Sequence, residues 1–140
     1  MTESAENLVQ HFDATLETLP QILSWVQQIL SRSLLSKKAA LHFELAMEEA
    51  IVNVIMHTYR QLGGKLEIQA LLTEKILAFT LIDEGDAYDP LSAPLKPEVP
   101  IEEMVEGGLG VKLMRTYCDG LSYERVGQRN VLILSKQIAR

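Results

Sequence analysis

The chain has 140 residues, 47% of them hydrophobic and 23% charged, which is enough for one domain with a sizeable core and excludes a disordered chain. Its net charge of −6 argues against general binding to nucleic acids or anionic membranes, both of which attract basic surfaces. The chain contains one cysteine, starts with an acidic stretch unlike a signal peptide and lacks an apolar run of membrane length. These features predict a cytoplasmic protein with a single domain, residues 1–140.

The spacing of apolar residues predicts the order strand, helix, helix, strand, strand, long loop, helix, strand, strand. In that order the predicted bounds are 7–13, 18–35, 37–60, 65–73, 76–82, 84–106, 107–118, 121–126 and 130–138. Gly63 and Gly64 are expected to end the second helix, and the nearly continuous apolarity of 76–82 predicts a strand that is central or buried on both faces. This order is typical of an α+β domain with helices stacked on a mostly antiparallel sheet.

The second helix is apolar nearly all round from Leu41 to Met56, but Glu49, Asn53 and His57 interrupt it at intervals of four residues. Residues at this spacing share one face of a helix, so the three would form a polar stripe on a buried helix. A buried carboxylate is costly unless a partner or a metal compensates its charge. The stripe therefore indicates a binding or catalytic face. A half-exposed structural stripe is the alternative from this helix alone.

Asp83 follows the apolar strand 76–82 at once, and Gly85 comes two residues later. An ionised carboxylate only accepts hydrogen bonds, so it suits the amino group of adenine and rejects guanine, which presents an acceptor at the same position. A glycine lets the backbone pass close beneath a flat ring. The pair indicates adenine recognition, with a turn-capping aspartate as the alternative.

Three glycines, Gly107, Gly108 and Gly110, open the last predicted helix. Exposed backbone N–H groups and the positive end of the helix dipole favour phosphate at such a place. The stretch is not a P-loop, since no Gly-Lys-Ser/Thr follows, and not a dinucleotide fingerprint, since residue 113 is leucine. Taken alone, these glycines would be better explained as a hinge without a ligand.

In their order and joint spacing, the segments "EEAIVN" (48–53), "DEGDAYDP" (83–90) and "EGGLG" (106–110) resemble the N, G1 and G2 boxes of the GHKL, or Bergerat-fold, ATPases. The resemblance is closer to the bacterial anti-sigma-factor serine/threonine kinases of partner switching, and it extends from about residue 5 to residue 138. It implies a two-layer α/β sandwich of the Bergerat type. Such a fold has a mostly antiparallel mixed sheet, helices on one face and an ATP lid, here at 86–106.

The resemblance also implies a role for each matching residue. Glu49 would be the catalytic residue, which polarises a water in the ATPases and a partner's serine hydroxyl in the kinases. Asn53 would ligate a Mg²⁺ ion that bridges the phosphates of ATP. Asp83 would read the adenine, and Gly85 would lie beneath it. The other residues of the implied ATP site are His57, Asp89, Gly107, Gly108, Leu109 and Gly110.

By the same resemblance the protein would bind a sigma factor or a similar client and phosphorylate a serine or threonine of a small anti-anti-sigma protein of the STAS type. The family tends to form homodimers. Glu106 departs from its pattern, because close kinase relatives often carry a basic residue there that suits the γ-phosphate. Lys96, Lys112 and Arg115 are the candidates for a compensating charge.

Two other interpretations follow from these features. Glu106 favours a nucleotide-gated binding switch without significant kinase activity, whereas Glu49 favours the kinase. The ATPase domain of a histidine kinase is less favoured, because no phosphoacceptor-histidine segment precedes residue 1. In addition, Glu49 lies four residues before Asn53, where the resemblance places the glutamate of enzymes that activate a hydroxyl group.

Overall fold

The computed structural model describes residues 5–92 and 108–138. Its elements are β1 (Glu6–Asp13), α1 (Leu19–Arg32), α2 (Lys37–Asn53), a π-helical turn (Val54–Thr58), β2 (Lys65–Leu72), β3 (Ile76–Asp83), α3 (Gly108–Tyr117), β4 (Gly120–Val126) and β5 (Arg129–Gln137). This succession confirms the predicted order. Of the proposed lid, residues from 93 onward lie outside the described part of the chain, as do Lys96, Glu106 and Gly107.

The strands form one sheet in the order β1-β2-β3-β5-β4, so β3 is central, as its apolarity predicted. All strand pairs of the described residues are antiparallel, and the parallel pair that a mixed sheet would contain is absent there. Consecutive neighbours β2–β3 and β4–β5 are joined by tight turns, which only antiparallel strands permit. The predicted α+β class, with helices on a mostly antiparallel sheet, is confirmed.

Buried and more exposed side chains alternate along β2, β3 and β5, which gives the sheet one apolar face. The helices cover this face. The rings of Phe43 on α2 and Phe79 on β3 meet there with centroids 5.7 Å apart. On the opposite face Leu71 and Ile133 are each 37% exposed. The largest fully buried side chains are Phe43, Phe79, Ile22, Met47, Ile51, Ile55, Leu66, Ile68, Leu77, Leu81, Met114 and Leu134.

The second helix ends earlier than the predicted residue 60. α2 stops at Asn53, and the chain continues as the π-helical turn, in which Tyr59 N donates to Val54 O (3.0 Å). Each residue rotates about the helix axis by a smaller angle in a π turn than in an α-helix. The residues after Asn53 therefore do not continue the helix face occupied by Glu49 and Asn53. Short π-helical turns within helices are rare and occur frequently at functional sites.

Arg60 and Gln61 end this helical segment by adopting positive φ angles of 52° and 65°. Residues other than glycine rarely adopt this left-handed conformation, and a right-handed helix cannot continue through it. The expectation that Gly63 and Gly64 end the helix was therefore wrong in position. The helix has already stopped before the glycines are reached.

Cys118 follows α3 and packs against the apolar core. Burial is the main influence on this thiol and raises its pKa to about 12. Within the described ranges, none of the helices has the length and apolar character needed to cross a membrane.

Phe79→Ala should lower the free energy of unfolding by about 3–5 kcal/mol, the usual cost of deleting a buried phenylalanine side chain. The ring is fully buried and packs against Phe43, so its removal leaves a cavity at the centre of the core. Urea denaturation measures the change. Leu62→Ala is the control, because Leu62 is 87% exposed and its loss should matter by less than about 0.5 kcal/mol. Equal, small effects of both substitutions would contradict this core.

Candidate nucleotide site

The loop that leaves the end of β3 packs against the π-helical turn. A Cβ atom added at Gly85 would lie 2.8 Å from Thr58 O in the π-helical turn. The ring of His57 stacks on that of Tyr88, with centroids 5.3 Å apart and planes inclined by 22°. The structure thus brings His57 and Thr58 of the π-helical turn next to residues 84–90, the predicted adenine loop.

Asp83 is the last residue of β3 and is only 3% exposed. Its Oδ1 accepts hydrogen bonds from Gly85 N (3.0 Å) and from Asn130 Nδ2 (2.8 Å). Burial raises the pKa of this carboxyl, while the two hydrogen bonds and the nearby Arg125 act to lower it. No hydrogen bond reaches Oδ2 from the described residues, so the protein fixes one oxygen of this carboxylate and leaves the other without a donor there.

Gly85 is required by the close approach of its loop to the π-helical turn. An added Cβ would lie 2.5 Å from Thr58 Cγ2 as well as 2.8 Å from its carbonyl oxygen, and the backbone cannot yield to such a contact without moving the loop. Asp86 N donates to the same carbonyl oxygen (3.3 Å). The glycine therefore has a reason within the protein, in addition to its predicted place beneath a base.

Tyr59 ties the end of the helix to the strands on both sides of it. Its hydroxyl donates to Lys65 O (2.6 Å) and accepts from Glu84 N (2.9 Å). The ring lies where a side chain at Gly64 would be, since an added Cβ there would be 2.1 Å from Tyr59 Cε1. Burial raises the pKa of the Tyr59 hydroxyl. The loop that carries Gly85 is thus held at a fixed distance from the helix.

Glu49 and Asn53 lie one turn apart on α2, as predicted. Glu49 is half-buried, and burial together with the charge of Glu48 raises the pKa of its carboxyl. The start of α3 lies against this carboxylate, because a Cβ added at Gly110 would be 2.8 Å from Glu49 Oε2. No ion pair neutralises Glu49 within the described part of the chain. A carboxylate with a raised pKa is a better proton acceptor than an ordinary one at neutral pH.

Asn53 is 6% exposed, and its Nδ2 is buried without a hydrogen-bond partner among the described residues. An orphaned buried amide in a native protein calls for a ligand or a bound water. Those residues contain no group of three or more His, Cys, Asp and Glu that could hold a metal by themselves. Mg²⁺ in nucleotide sites typically takes one or two protein oxygens together with phosphate oxygens and water. The amide atom of Asn53 that can ligate such an ion is Oδ1, whereas the unpartnered Nδ2 is a donor and requires an acceptor, such as a water or a phosphate oxygen.

The remaining site residues lie around this centre. Asp89 Oδ1 accepts from Leu91 N (2.8 Å) and so closes a turn at the start of the proposed lid. Gly108, Leu109 and Gly110 form the first turn of α3, as predicted. Direct contact of any of these residues, or of His57, with a ligand stays a prediction.

Two of the basic side chains predicted to compensate the charge of Glu106, Arg115 and Lys112, lie on α3 and have different surroundings. Arg115 Nη2 donates to Leu91 O (2.8 Å) and ties α3 to the loop after β3. Lys112 is half-buried on α3 and forms no ion pair with a described residue.

Asn130 is the site residue that the sequence did not indicate. It lies near the start of β5, is 2% exposed and pairs with Asp83 across the strands. The signal that could have found it is a lone amide directly before the apolar run of β5, opposite the carboxylate that ends β3.

Glu49→Gln should stabilise the fold at neutral pH, because the folded protein raises the pKa of this carboxyl and so disfavours its ionised form. The penalty is absent below the unfolded pKa of about 4.3 and grows as the pH rises through the folded value. Solvent screening at this half-exposed position limits the gain to less than about 1 kcal/mol. Thermal unfolding should show it at pH 8 and not at pH 4. Glu124→Gln, at an exposed position on β4, is the control, and an equal gain at both pH values would contradict the prediction.

Comparisons with known proteins agree with this geometry. A family model described as a histidine kinase-like ATPase domain matches residues 12–136. The chain is 31% identical over 130 residues to the serine/threonine-protein kinase BtrW of Bordetella bronchiseptica, covering 89% of each chain. It is 26% identical over 98 residues to an anti-sigma F factor of Clostridium acetobutylicum, covering 69% of this chain and 68% of that one.

A third relative is the serine-protein kinase RsbW of Bacillus subtilis, 32% identical over 82 residues, which are 54% of this chain and 51% of the relative. The match to the family model extends over the helix of Glu49 and Asn53, the loop after Asp83 and the start of α3. The chain belongs to the histidine kinase-like ATPase family, in the branch that contains the anti-sigma-factor serine/threonine kinases.

Proposed function

We propose that the protein is an anti-sigma regulatory factor with Mg·ATP-dependent serine/threonine kinase activity. It would bind a sigma factor or a similar client and phosphorylate an anti-anti-sigma partner of the STAS type. The observation that carries this proposal is the buried Asp83 carboxylate, whose Oδ2 has no hydrogen bond from the described residues and whose loop packs against the π-helical turn that follows Asn53. The names of the relatives, both kinases and anti-sigma factors, support it.

The site divides into a base end and a phosphate end. Asp83 Oδ2 accepts from the exocyclic amine of adenine, and Gly85 leaves room beside the base. The first turn of α3 supplies backbone N–H groups for the phosphates, which the positive end of the helix dipole also favours. Asn53 would hold the Mg²⁺ ion through its Oδ1, and the ion would neutralise charge on the phosphate oxygens.

Phosphoryl transfer needs a proton acceptor for the attacking hydroxyl, and Glu49 takes this role. Its carboxylate accepts the proton as the serine oxygen forms a bond to the γ-phosphorus and the bond to the bridging oxygen of ADP breaks. The raised pKa of Glu49 suits this proton transfer, because a general base works best with a pKa near the operating pH. The contact with Gly110 keeps the carboxylate next to the proposed phosphate end.

Residues 1–140 would act as one ATPase domain in the cytoplasm, where sigma factors are found, and as a homodimer. The acidic net charge of −6 fits contact with proteins and not with nucleic acid.

Mg·ATP should bind far more tightly than Mg·GTP, and Asp83→Asn should weaken ATP binding about ten- to a hundredfold. The reason is the loss of a charge-assisted hydrogen bond in a buried site, which costs about 1.5–3 kcal/mol. Isothermal titration calorimetry measures both affinities. Asp86→Asn is the matched control on the same loop, because its carboxylate forms an exposed ion pair with Arg60. Equal affinities of the wild type for ATP and GTP would refute adenine reading by Asp83.

Glu49→Ala and Asn53→Ala should fail differently. Glu49→Ala should still bind Mg·ATP but transfer phosphate about 10²–10⁴-fold more slowly, as expected for loss of a general base. Asn53→Ala should lose magnesium-dependent ATP binding itself, because it removes a metal ligand. Radiolabelled ATP and the protein's own anti-anti-sigma partner measure the transfer.

A wild type that binds Mg·ATP and transfers nothing to that partner would refute the kinase. The second candidate, a nucleotide-gated binding switch, would then be the better description. Glu106 is the residue that favours it, since an acid next to the phosphate-side glycines repels the γ-phosphate.

A further inference from the structure

Asn130 lies in the sheet directly across from Asp83. The two residues are partners in the antiparallel register of β3 and β5, although they are 47 positions apart in the sequence. Asn130 is 2% exposed, and it follows Arg129, the first residue of β5, where the strand passes beneath the adenine loop. A buried amide in this position requires partners for both of its ends.

Both ends of the Asn130 amide are fully used by the protein. Its Nδ2 donates to Asp83 Oδ1 (2.8 Å) and to Asp86 O (2.9 Å). Its Oδ1 accepts from Tyr88 N (3.4 Å) and from the hydroxyl of Tyr123 on β4. An amide side chain offers two N–H donors and an oxygen with two lone pairs, so all four are occupied. Asn130 therefore has no capacity left for a ligand, and its effect must be exerted through the groups that it holds.

Backbone groups of fixed polarity determine which way the amide faces, because Tyr88 N can only donate and Asp86 O can only accept. In this orientation the oxygen of Asn130 also accepts from the Tyr123 hydroxyl on β4, and the nitrogen points to Asp83. A flipped amide would place its oxygen against Asp83 Oδ1, and two acceptors would then face each other in a buried place. The hydroxyl is thus the outer member of a chain of hydrogen bonds that ends at the adenine-reading carboxylate.

Other charged and titratable groups face Asp83 but do not replace this bond. Arg125 on β4 uses its guanidinium on Gly85 O (2.8 Å) and Gly127 O (3.1 Å), not on the carboxylate. Burial and the charges of Asp83 and Glu84 raise the pKa of the Tyr59 hydroxyl, which is committed to backbone groups. Among the described residues, Asn130 supplies the side-chain hydrogen bond to Asp83.

We propose that Asn130, supported by Tyr123, is a positioning residue that keeps Asp83 an acceptor-only carboxylate with Oδ2 turned to the ligand, and so sets the preference for adenine over guanine. This inference rests on the proposed nucleotide function and adds a specificity device outside the three motif segments. Without the amide, Asp83 can rotate or take up a proton. A protonated carboxyl can donate to guanine O6, so discrimination between the two bases is lost.

The test compares the affinities for Mg·ATP and Mg·GTP in the wild type, Tyr123→Phe and Asn130→Leu by calorimetry. The ratio of the GTP to the ATP dissociation constant should fall about tenfold in Asn130→Leu and about threefold in Tyr123→Phe, in line with the loss of a buried hydrogen bond to a charged group or of its support. Tyr117→Phe is the matched control on α3, where the ring stacks on His42, and it should leave the ratio unchanged.

A pH profile separates this role from simple structural support. The hydrogen bond from Asn130 lowers the pKa of Asp83, so its removal raises that pKa further. As the pH is lowered, Asn130→Leu should therefore lose its remaining adenine preference at a higher pH than the wild type. A substitution that only loosens the fold would not shift the pH at which selectivity is lost.

A wild-type preference for ATP that persists at the same ratio and with the same pH profile in both variants would overturn the role of Asn130 while leaving the proposed function intact. A wild type that does not prefer adenine would instead overturn adenine reading by Asp83, and the role of Asn130 with it. If Asn130→Leu does not fold, Tyr123→Phe decides the matter, because it keeps the ring of a half-buried side chain and removes only the hydroxyl.

Discussion

The cost of burying the Asp83 carboxylate at the end of the central strand constrains the rest of this site. A charge in that position is tolerated only where donors reach it, and here they come from two directions, the backbone of Gly85 and the amide of Asn130. The first donor fixes the turn that leaves β3. The second requires β5 to run beside β3 in the register that sets Asn130 opposite. The same bonds therefore hold both the strand pairing and the shape of the loop after β3.

The π-helical turn answers a second constraint, the close approach of helix and loop. The loop backbone passes so near Thr58 that only a glycine fits at Gly85, and Tyr59 holds the helix end to β2 and to the residue after Asp83. A regular α-helix through the same residues would turn these side chains to other directions. The irregular turn followed by two left-handed residues places Thr58 and Tyr59 against the loop.

The parts of the fold that depend on local pattern could be predicted from the sequence, and the parts that depend on distant contacts could not. Strand alternation, the apolar second helix and the spacing of Glu49 and Asn53 are properties of neighbouring residues, and the structure agrees with them. The residues of the π-helical turn are of the same types as those of an α-helix, so the sequence pattern does not distinguish the two. Asn130 was missed because its partner, Asp83, is 47 residues away and the pairing of β3 with β5 is a tertiary result.

The environment of Cys118 has a practical consequence for labelling chemistry. The thiolate is the reactive form of cysteine, and a pKa of about 12 leaves almost none of it at neutral pH. Because this is the sole cysteine of the chain, a second one introduced at an exposed position would react with maleimide or a spin label in its place. Probes for distance measurements between the helix layer and the loop after β3 can therefore be attached in the natural sequence background, with Cys118 retained against the core.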